Sequence, residues 1–344
     1  MVGSGASGNH PSLRPVRLAL VGVGRWGRAL LNTIPTLPGV RLSHCVSGNP
    51  ETASLLPGGC LLLPTWQGLL EVSGLDGVVL AIPPEHQLAL ADTLGANGLA
   101  VMVEKPLSLD LEEALAFRER VRERAGIVLV DHIQLFHPAV VRLKALAPTL
   151  GALREIRSFA GQWGPFRRHP IPVLWDYGPH DASLCLELVE APPDRILIRR
   201  EERRDLAAGL GETIDWEMGY PDGVTAHIHL SNVMPGKRRY LAMRREEGTL
   251  VYDDLAPHKL TRHPPLAEPD PIDGEPIPLE EGRPLTRALA EFVDRIRRRD
   301  PALDSLDRGV QVVRLLDACQ RQLDRDGPFS TGRNSRSPGQ PLGC

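Results

Sequence analysis

No stretch of this sequence approaches the ~20 consecutive apolar residues that span a bilayer, which excludes an ordinary membrane-crossing helix. Neither sign of charge dominates: 40 Lys and Arg against 43 Asp and Glu leave a net charge of −3. There is thus no basic stripe for nucleic acid and no basic patch for an anionic membrane surface. Cysteine is sparse: Cys45, Cys60, Cys185, Cys319 and Cys344 show no C-x-x-C spacing. That argues against a zinc site or a disulfide frame, and for reduced thiols in a cytoplasmic protein. The opening MVGSGASGNHPSLRP has neither a charged leader nor an apolar segment, so no signal peptide is expected, and residues 1–15 read as a disordered lead-in. No internal repeat is apparent. What the chain does have is length, 344 residues of which 42% are hydrophobic, enough for two domains with cores of their own.

The first organised stretch is Arg17–Leu31, RLALVGVGRWGRALL. Leu18–Gly22 predicts a short buried strand, and a helix opens near Arg25. Between them Gly22, Gly24 and Gly27 form G-x-G-x-x-G at a strand-to-helix turn, the setting in which that pattern signals a dinucleotide site. Gly22 permits the tight turn, Gly24 lets backbone approach a pyrophosphate, and Gly27 lets the helix pack closely on the strand. Free N–H groups and the positive dipole end at Arg25 and Trp26 then face the phosphates.

A second strand, Gly39–Ser47, ends where an NAD site of this kind places an acidic residue for the ribose 2′-OH. Here stand Ser47, Gly48 and Asn49. Ser and Asn can donate to a 2′-phosphate that a carboxylate would repel, which tilts the expectation toward NADP. No Arg or Lys follows closely to clamp that phosphate, so NAD stays open. Short helices at 50–56 and 66–72 flank a strand at Cys60–Leu63. Leu75–Ile82 is an apolar run suited to a strand buried on both faces. It ends at Pro83-Pro84-Glu85-His86, and a helix follows to about Ala96. Strand Leu99–Val103 runs into Glu104-Lys105-Pro106, followed by helix Leu109–Ala125 and strand Gly126–Val130. Six strands alternating with helices predict a doubly wound parallel sheet over residues 16–150. Its ligands should lie at the strand ends marked by Ser47, Pro83, Lys105 and Asp131.

Beyond Leu150 the period changes to two. Ala152–Trp163, Arg195–Arg204, Ile214–Tyr220, Val224–Asn232, Arg239–Arg245 and Thr249–Tyr252 predict a sheet with one packed face, over a second domain of residues 151–329. Val224, Ala226, Ile228 and Leu230 share its packed side, and Thr225, His227, His229 and Ser231 the other. A single helix over Val173–Leu188 carries WDYGPHD near its start. The proline-rich loop Pro264–Pro278 leads to helices Pro284–Arg299 and Ser305–Arg325, which can pack back on the sheets. Residues 330–344 are expected to be a disordered tail.

Three candidate groups converge chemically. Oxidising a secondary alcohol by hydride transfer also requires removal of its hydroxyl proton by a base in hydrogen-bond reach. His180 has the intrinsic pKa for that task, and the Lys105 ammonium can stabilise the developing alkoxide. Asp176 lies four residues before His180, on the same face of a continuous helix. The bland readings are a solvated loop lysine, a structural histidine among eleven, and an aspartate favoured by a helix dipole. The two histidines of His227-x-His229 point the same way, but no third metal ligand stands at sensible spacing, and no metal is expected.

VGVGRWG (21–27), AIPPEH (81–86), EKPLSLDLEEA (104–114), HIQLFHPAV (132–140) and WDYGPHD (175–181) keep their order over residues 16–325. In this set the chain resembles the Gfo/Idh/MocA oxidoreductase family, the glucose–fructose oxidoreductase and inositol dehydrogenase group. The resemblance implies an N-terminal Rossmann domain and a C-terminal α+β domain with an open, mostly antiparallel sheet. It implies that Lys105, Asp176 and His180 are catalytic, with His180 the acid/base, and that Pro83, Pro84, His86, Glu104 and Lys105 lie beside the nicotinamide cofactor. It also implies a homodimer or homotetramer formed through the outer face of the second sheet. Trp26-Gly27 and Trp175 are similar to the branch acting on nucleotide-linked sugars. Two departures stand out: Ser47 where many members are acidic, and RRHPIPVLW where a glycine-rich lead-in often precedes the aspartate.

The expected function is hydride transfer between NAD or NADP and a secondary alcohol or ketone of a sugar, nucleotide sugar or cyclic polyol. Arg167 and Arg168, with His169 beside them, and Trp175 are the candidate substrate contacts. The alternatives are a nicotinamide-binding sensor or regulator without turnover and, more remotely, a methyltransferase, for which the E-K-P turn would have no role.

Overall fold

Strands of the first half are apolar at nearly every position because both of their faces are covered. In the computed structural model, which describes residues 14–164, 171–265 and 274–325, six such segments form one parallel sheet. They are β1 (Val16–Val21), β2 (Val40–Val46), β3 (Leu61–Leu63), β4 (Gly77–Leu80), β5 (Ala100–Val103) and β6 (Val128–Val130). Their order is β3-β2-β1-β4-β5-β6. The helices α1 (Arg25–Thr33), α2 (Pro84–Ala96), α3 (Leu111–Glu123) and α4 (Pro138–Leu146) follow β1, β4, β5 and β6. Successive strand residues feed opposite layers. Leu18, Leu20, Val79 and Met102 pack with Leu30, Leu289 and Phe292, whereas Ala19, Val21, Val78 and Val101 pack with Leu88, Leu94 and Phe117. Sequence order reverses between β1 and β4, the switch point where doubly wound sheets bind ligands at their carboxyl ends.

The second sheet has eight strands: β7 (Leu153–Trp163), β8 (Arg195–Leu206), β9 (Gly209–Gly219), β10 (Thr225–Ser231), β11 (Val233–Arg245), β12 (Gly248–Asp253), β13 (Leu260–His263) and β14 (Glu275–Pro276). They are ordered β14-β13-β12-β11-β7-β10-β9-β8. All neighbours run antiparallel except β7 and β10. Ala226, Ile228 and Leu230 of β10 are buried and His227 and His229 partly exposed, as the period-two pattern requires. Between β7 and β8 stand α5 (Val173–Asp176) and α6 (Gly178–Val189). The chain closes with α7 (Pro284–Arg298) and α8 (Asp304–Arg325). Leu285, Ala288, Leu289, Phe292 and Val293 of α7 join the layer beneath β1. From α8, the Gln322 side chain accepts from Ile198 N (2.7 Å) and donates to Ile196 O (3.4 Å). That amide pairs with part of the edge strand β8, which would otherwise present free backbone groups.

Three expectations need correction. The helix read as continuous over Val173–Leu188 is interrupted at Tyr177. Pro179 is the cause: it has no N–H to give the Trp175 carbonyl, and its ring crowds that oxygen. The loop Pro264–Pro278 contains the short strand β14, and β13 precedes it; both are too short for a period to register. Arg14 and Pro15, read as part of the lead-in, are described, and Arg14 forms a two-point ion pair with Asp76 at 2.6 and 2.9 Å.

Phe292 is fully buried against the sheet. Phe292→Ala is expected to lower unfolding free energy by ~3–5 kcal/mol. Chemical denaturation reads this directly; a loss under ~1 kcal/mol would mean α7 contributes little to that layer.

Candidate functional site

The glycine turn is built as its spacing requires. Gly22 has φ +92°, and a Cβ there would lie 2.4 Å from the Ala81 carbonyl oxygen. A Cβ on Gly27 would lie 2.1 Å from the Gly22 carbonyl oxygen, so only glycine lets α1 cross this close. Around Gly24 nothing stands within 4 Å of such an atom. Gly24 is also the N-cap of α1, with no side chain capping it and no acidic residue in the first turn. A close double approach flanking an open glycine and an uncapped helix start without a carboxylate fit the pyrophosphate of a dinucleotide. At the end of β2, Ser47 Oγ accepts from Asn49 N (3.2 Å) and Thr52 Oγ1 (2.9 Å), and Asn49 Oδ1 accepts from Glu51 N. Gly48 and Asn49 are exposed.

The E-K-P turn is held from beneath. Gln87, fully buried in α2, aims its amide nitrogen at the carbonyls of Glu104 (3.0 Å), Pro106 (2.5 Å) and Leu107 (3.0 Å). Downstream, Asp110 Oδ1 accepts from Glu113 N (2.7 Å), and Ser108 Oγ donates to the Glu113 carboxylate (2.5 Å), which caps α3. So fixed, Lys105 Nζ donates to the Asp176 carbonyl at 2.8 Å and stands 3.6 Å from its carboxylate. This contact ties the end of β5 to α5. The indole N–H of Trp26 donates to Glu104 across the end of β4. Pro83 and His86 are exposed and Pro84 half-buried at the start of α2, and Arg25 is exposed in the first turn of α1.

On the other side, Glu212 fixes α5. Its carboxylate accepts from Val173 N (3.1 Å) and pairs with Arg200 (3.1 Å), and the side chain is 1% exposed. His180 opens α6, its N–H bonded to the Tyr177 carbonyl at 3.1 Å. Trp175 is buried, its indole donating to Gln320 Oε1 (3.1 Å), so it packs toward α8. Arg167, Arg168 and His169 lie outside the described residues. His229 Nδ1 pairs with Asp215 Oδ1 at 2.6 Å, while His227 sits between Glu155 (3.7 Å) and Glu217 (3.8 Å) on the outer sheet face. Among the described residues no group of three His, Cys, Asp or Glu is placed to hold a metal ion.

The electrostatics separate the site's groups. Burial, then the charges of Lys105 and Arg239 with His132 nearby, hold the His180 imidazole well below its usual range. Both effects favour the uncharged ring, and its Nδ1 has no hydrogen-bond partner. His132, 1% exposed with neither ring nitrogen bonded, is pushed down to about 3 by burial and by Arg308 and Lys105. At the ends of β5 and β6 the Glu104 and Asp131 carboxyls lie together. Burial pushes Asp131 up to about 7 against the pull of Lys105, and burial plus Asp131 raises Glu104 well above its ordinary value. The negative charge of one disfavours ionisation of the other.

Sequence reasoning missed Gln87, Glu212 and His132. Glu212 had a readable signal: it falls in phase with buried Ile214, Trp216 and Met218 on β9. Gln87 carries no such mark, and His132 stood in a quoted motif without a role.

Residues 16–132 match the family described as "Oxidoreductase family, NAD-binding Rossmann fold", GFO_IDH_MocA. A solved chain from Magnetospirillum magnetotacticum MS-1, described at the level of oxidoreductase, is 39% identical at a TM-score of 0.84 and covers 89% of this chain and 99% of its own. The chain belongs to the Gfo/Idh/MocA oxidoreductase family. Among curated relatives, UDP-N-acetylglucosamine 3-dehydrogenase of Acidithiobacillus ferrooxidans is 30% identical over 182 residues, 52% of this chain and 56% of the relative. scyllo-Inositol 2-dehydrogenase (NAD(+)) of Bacillus subtilis is 28% identical over 187 residues, 51% and 54%. The match thus spans about half the length of these two relatives. For this family member no helix among the described residues is long and apolar enough to cross a membrane.

Asp131 and His132 should leave opposite marks on stability. Folded Asp131 keeps a proton that the unfolded chain releases above 3.8, so its contribution is present below that pH and lost as pH rises toward about 7. His132 refuses a proton that the unfolded chain takes up below 6.5, so its contribution is lost as pH falls toward about 3. Relative to wild type, Asp131→Asn should therefore show stability rising more steeply from pH 4 to 7, and His132→Gln less steeply. Denaturation midpoints across that range decide it; identical slopes in all three proteins would remove both assignments.

Proposed function

We propose that this protein is an NAD(P)-dependent oxidoreductase moving a hydride between nicotinamide and a secondary alcohol or ketone of a sugar, nucleotide-linked sugar or cyclic polyol. The observation carrying this reading is the Lys105–Asp176 contact at the carboxyl end of β5, with neutral His180 one turn beyond and the glycine turn two strands away. Bound nicotinamide would supply the hydride acceptor or donor at C4. Gly22, Gly24, Arg25, Trp26 and Gly27 would hold the pyrophosphate side, Ser47, Gly48 and Asn49 the adenosine ribose, and Pro83, Pro84, His86 and Glu104 the nicotinamide side. The absence of a carboxylate at Ser47 favours NADP.

In oxidation, His180 accepts the hydroxyl proton, for which an uncharged imidazole is required. The Lys105 ammonium, oriented by Asp176, stabilises the negative charge developing on that oxygen. In reduction Lys105 already carries a proton to share with the carbonyl oxygen. Unbonded nitrogens of His132 and His180 suit a ligand dense in hydroxyl groups, each a donor and an acceptor. The kinship with UDP-N-acetylglucosamine 3-dehydrogenase supports the nucleotide-linked branch. For assembly through the outer sheet face, Trp163 (57% exposed) and Leu197, with half-buried Phe159 and Tyr240, offer apolar contacts among its charged residues.

The test is a parallel fluorescence titration with NADPH and NADH, then a turnover screen over sugars, cyclitols and nucleotide sugars. NADPH is expected to bind more tightly. His180→Ala is expected to lower turnover at least ~100-fold with cofactor affinity little changed. Failure to bind either cofactor would end the reading, and cofactor binding without turnover of any alcohol or ketone would favour the sensor alternative.

A further inference from the structure

One buried charge cluster is not used by the chemistry above. Asp181 follows His180 directly in the first turn of α6, and its side chain is wholly buried. Ser158 Oγ on β7 donates to Asp181 Oδ1 at 2.5 Å. Arg239 on β11, whose backbone pairs with Ala160 of β7, stands with Nη1 3.7 Å from Asp181 Oδ2. The Arg239 side chain is only 16% exposed, and Nη1 and Oδ2 each lack a hydrogen-bond partner. The adjacent Arg238 and Tyr240 alternate to the other face, where Tyr240 meets the Phe159 ring. Arg239 is therefore committed to the inner face, under α6.

We propose that Ser158, Asp181 and Arg239 form a buried clamp that fixes the first turn of α6 and sets the Arg239 guanidinium beside the His180 ring. Arg239 is in this sense a positioning residue for His180. The inference rests on His180 being the acid/base of the proposed reaction, though the clamp's effect on the ring exists without turnover. The charged and titratable groups facing the ring are Lys105 from the end of β5, His132 from the end of β6 and Arg239 from β11, with Asp176 and Asp181 on its own segment. Arg239 is permanently charged, so its field on His180 does not vary with pH. Lys105 can turn toward substrate, whereas Arg239 is set in the inner face of the sheet, 16% exposed and 3.7 Å from Asp181. A fixed positive charge disfavours imidazolium, which keeps His180 a proton acceptor before substrate arrives.

The test uses full-length protein with isotope-labelled histidine, followed by NMR from pH 8 to 5, with His180→Gln to identify the His180 signal. In wild type and Arg239→Lys the signal should hold its neutral position throughout. In Arg239→Gln and Arg239→Met the protonated fraction at pH 5 should rise by about tenfold or more, one pKa unit or greater. A His180 signal in both neutral variants that stays as in wild type would overturn the clamp, as would Arg239→Lys behaving like Arg239→Gln. Failure of both neutral variants to fold would also overturn it, because Arg239 would then be structural alone. The failures separate cleanly. A shifted signal in a protein that oxidises nothing sinks the enzyme reading and keeps the clamp, whereas turnover lost in His180→Ala but a signal indifferent to Arg239 does the reverse.

Discussion

Burial of the first sheet on both faces is the constraint from which the site follows. With Leu18 and Leu20 packed under α7 and Ala19 and Val21 packed under α2 and α3, these side chains of β1 are not available for chemistry. Function can reside only where the strands end. Those ends are also where backbone geometry is least regular, and the chain fills them with residues chosen for shape or charge: Gly22, Glu104, Lys105, Asp131. The two glycine contacts, Gly22 on Ala81 and Gly27 on Gly22, bring the uncapped start of α1 close over the carboxyl end of β1. A methyl group at either position would push the helix away and remove the cradle.

The second sheet contributes a wall and a set of anchors. Glu212 on β9 holds the start of α5, and Ser158 on β7 holds Asp181 in the first turn of α6, each from a buried position in the sheet. The break at Tyr177 allows the two short helical pieces to be set independently. Lys105, reaching across from β5 to the Asp176 carbonyl, then joins groups that are 71 residues apart in sequence. A buried ionic network of this kind adds little net stability once desolvation is counted. Its value lies in orientation: each charged group has one place to go.

Much of this was legible from residues alone. Strands buried on both faces, the glycine turn and the period-two change after Leu150 are repeating or local signals, and the sequence pattern carries them fully. The convergence of Lys105 with Asp176 and His180 was legible as chemistry, through residue types at strand and helix ends. The residues that position them were not. Gln87 acts through three backbone carbonyls of a turn that lies far from it along the chain, and no periodicity marks such a bond. Trp175 misled for the opposite reason. Its neighbour Asp176 faces Lys105, but the turn of α5 carries the indole toward Gln320. Continuity of the helix through WDYGPHD was misjudged because Pro179 was read as part of a motif, although its missing N–H is a local rule that forbids an unbroken turn.

The electrostatic design has a consequence for direction. Glu104 and Asp131 are pushed toward holding a proton, while His180 and His132 are pushed toward giving theirs up. Burial is the largest cause in all four, and neighbouring charges add to it for Glu104, His132 and His180. Lys105 and Arg239 stand in the same pocket, each facing a carboxyl group, Asp176 at 3.6 Å and Asp181 at 3.7 Å, with the uncharged imidazoles beside them. Such a pocket favours a ligand oxygen that becomes negative during reaction and a base already free of its proton. Both are demands of alcohol oxidation. In the reverse direction the proposed path retraces itself, so His180 would have to take up a proton and hand it to the carbonyl oxygen, with Lys105 still steadying that oxygen. Burial and the nearby positive charge oppose that uptake, so reduction would depend more on acidic pH than oxidation does.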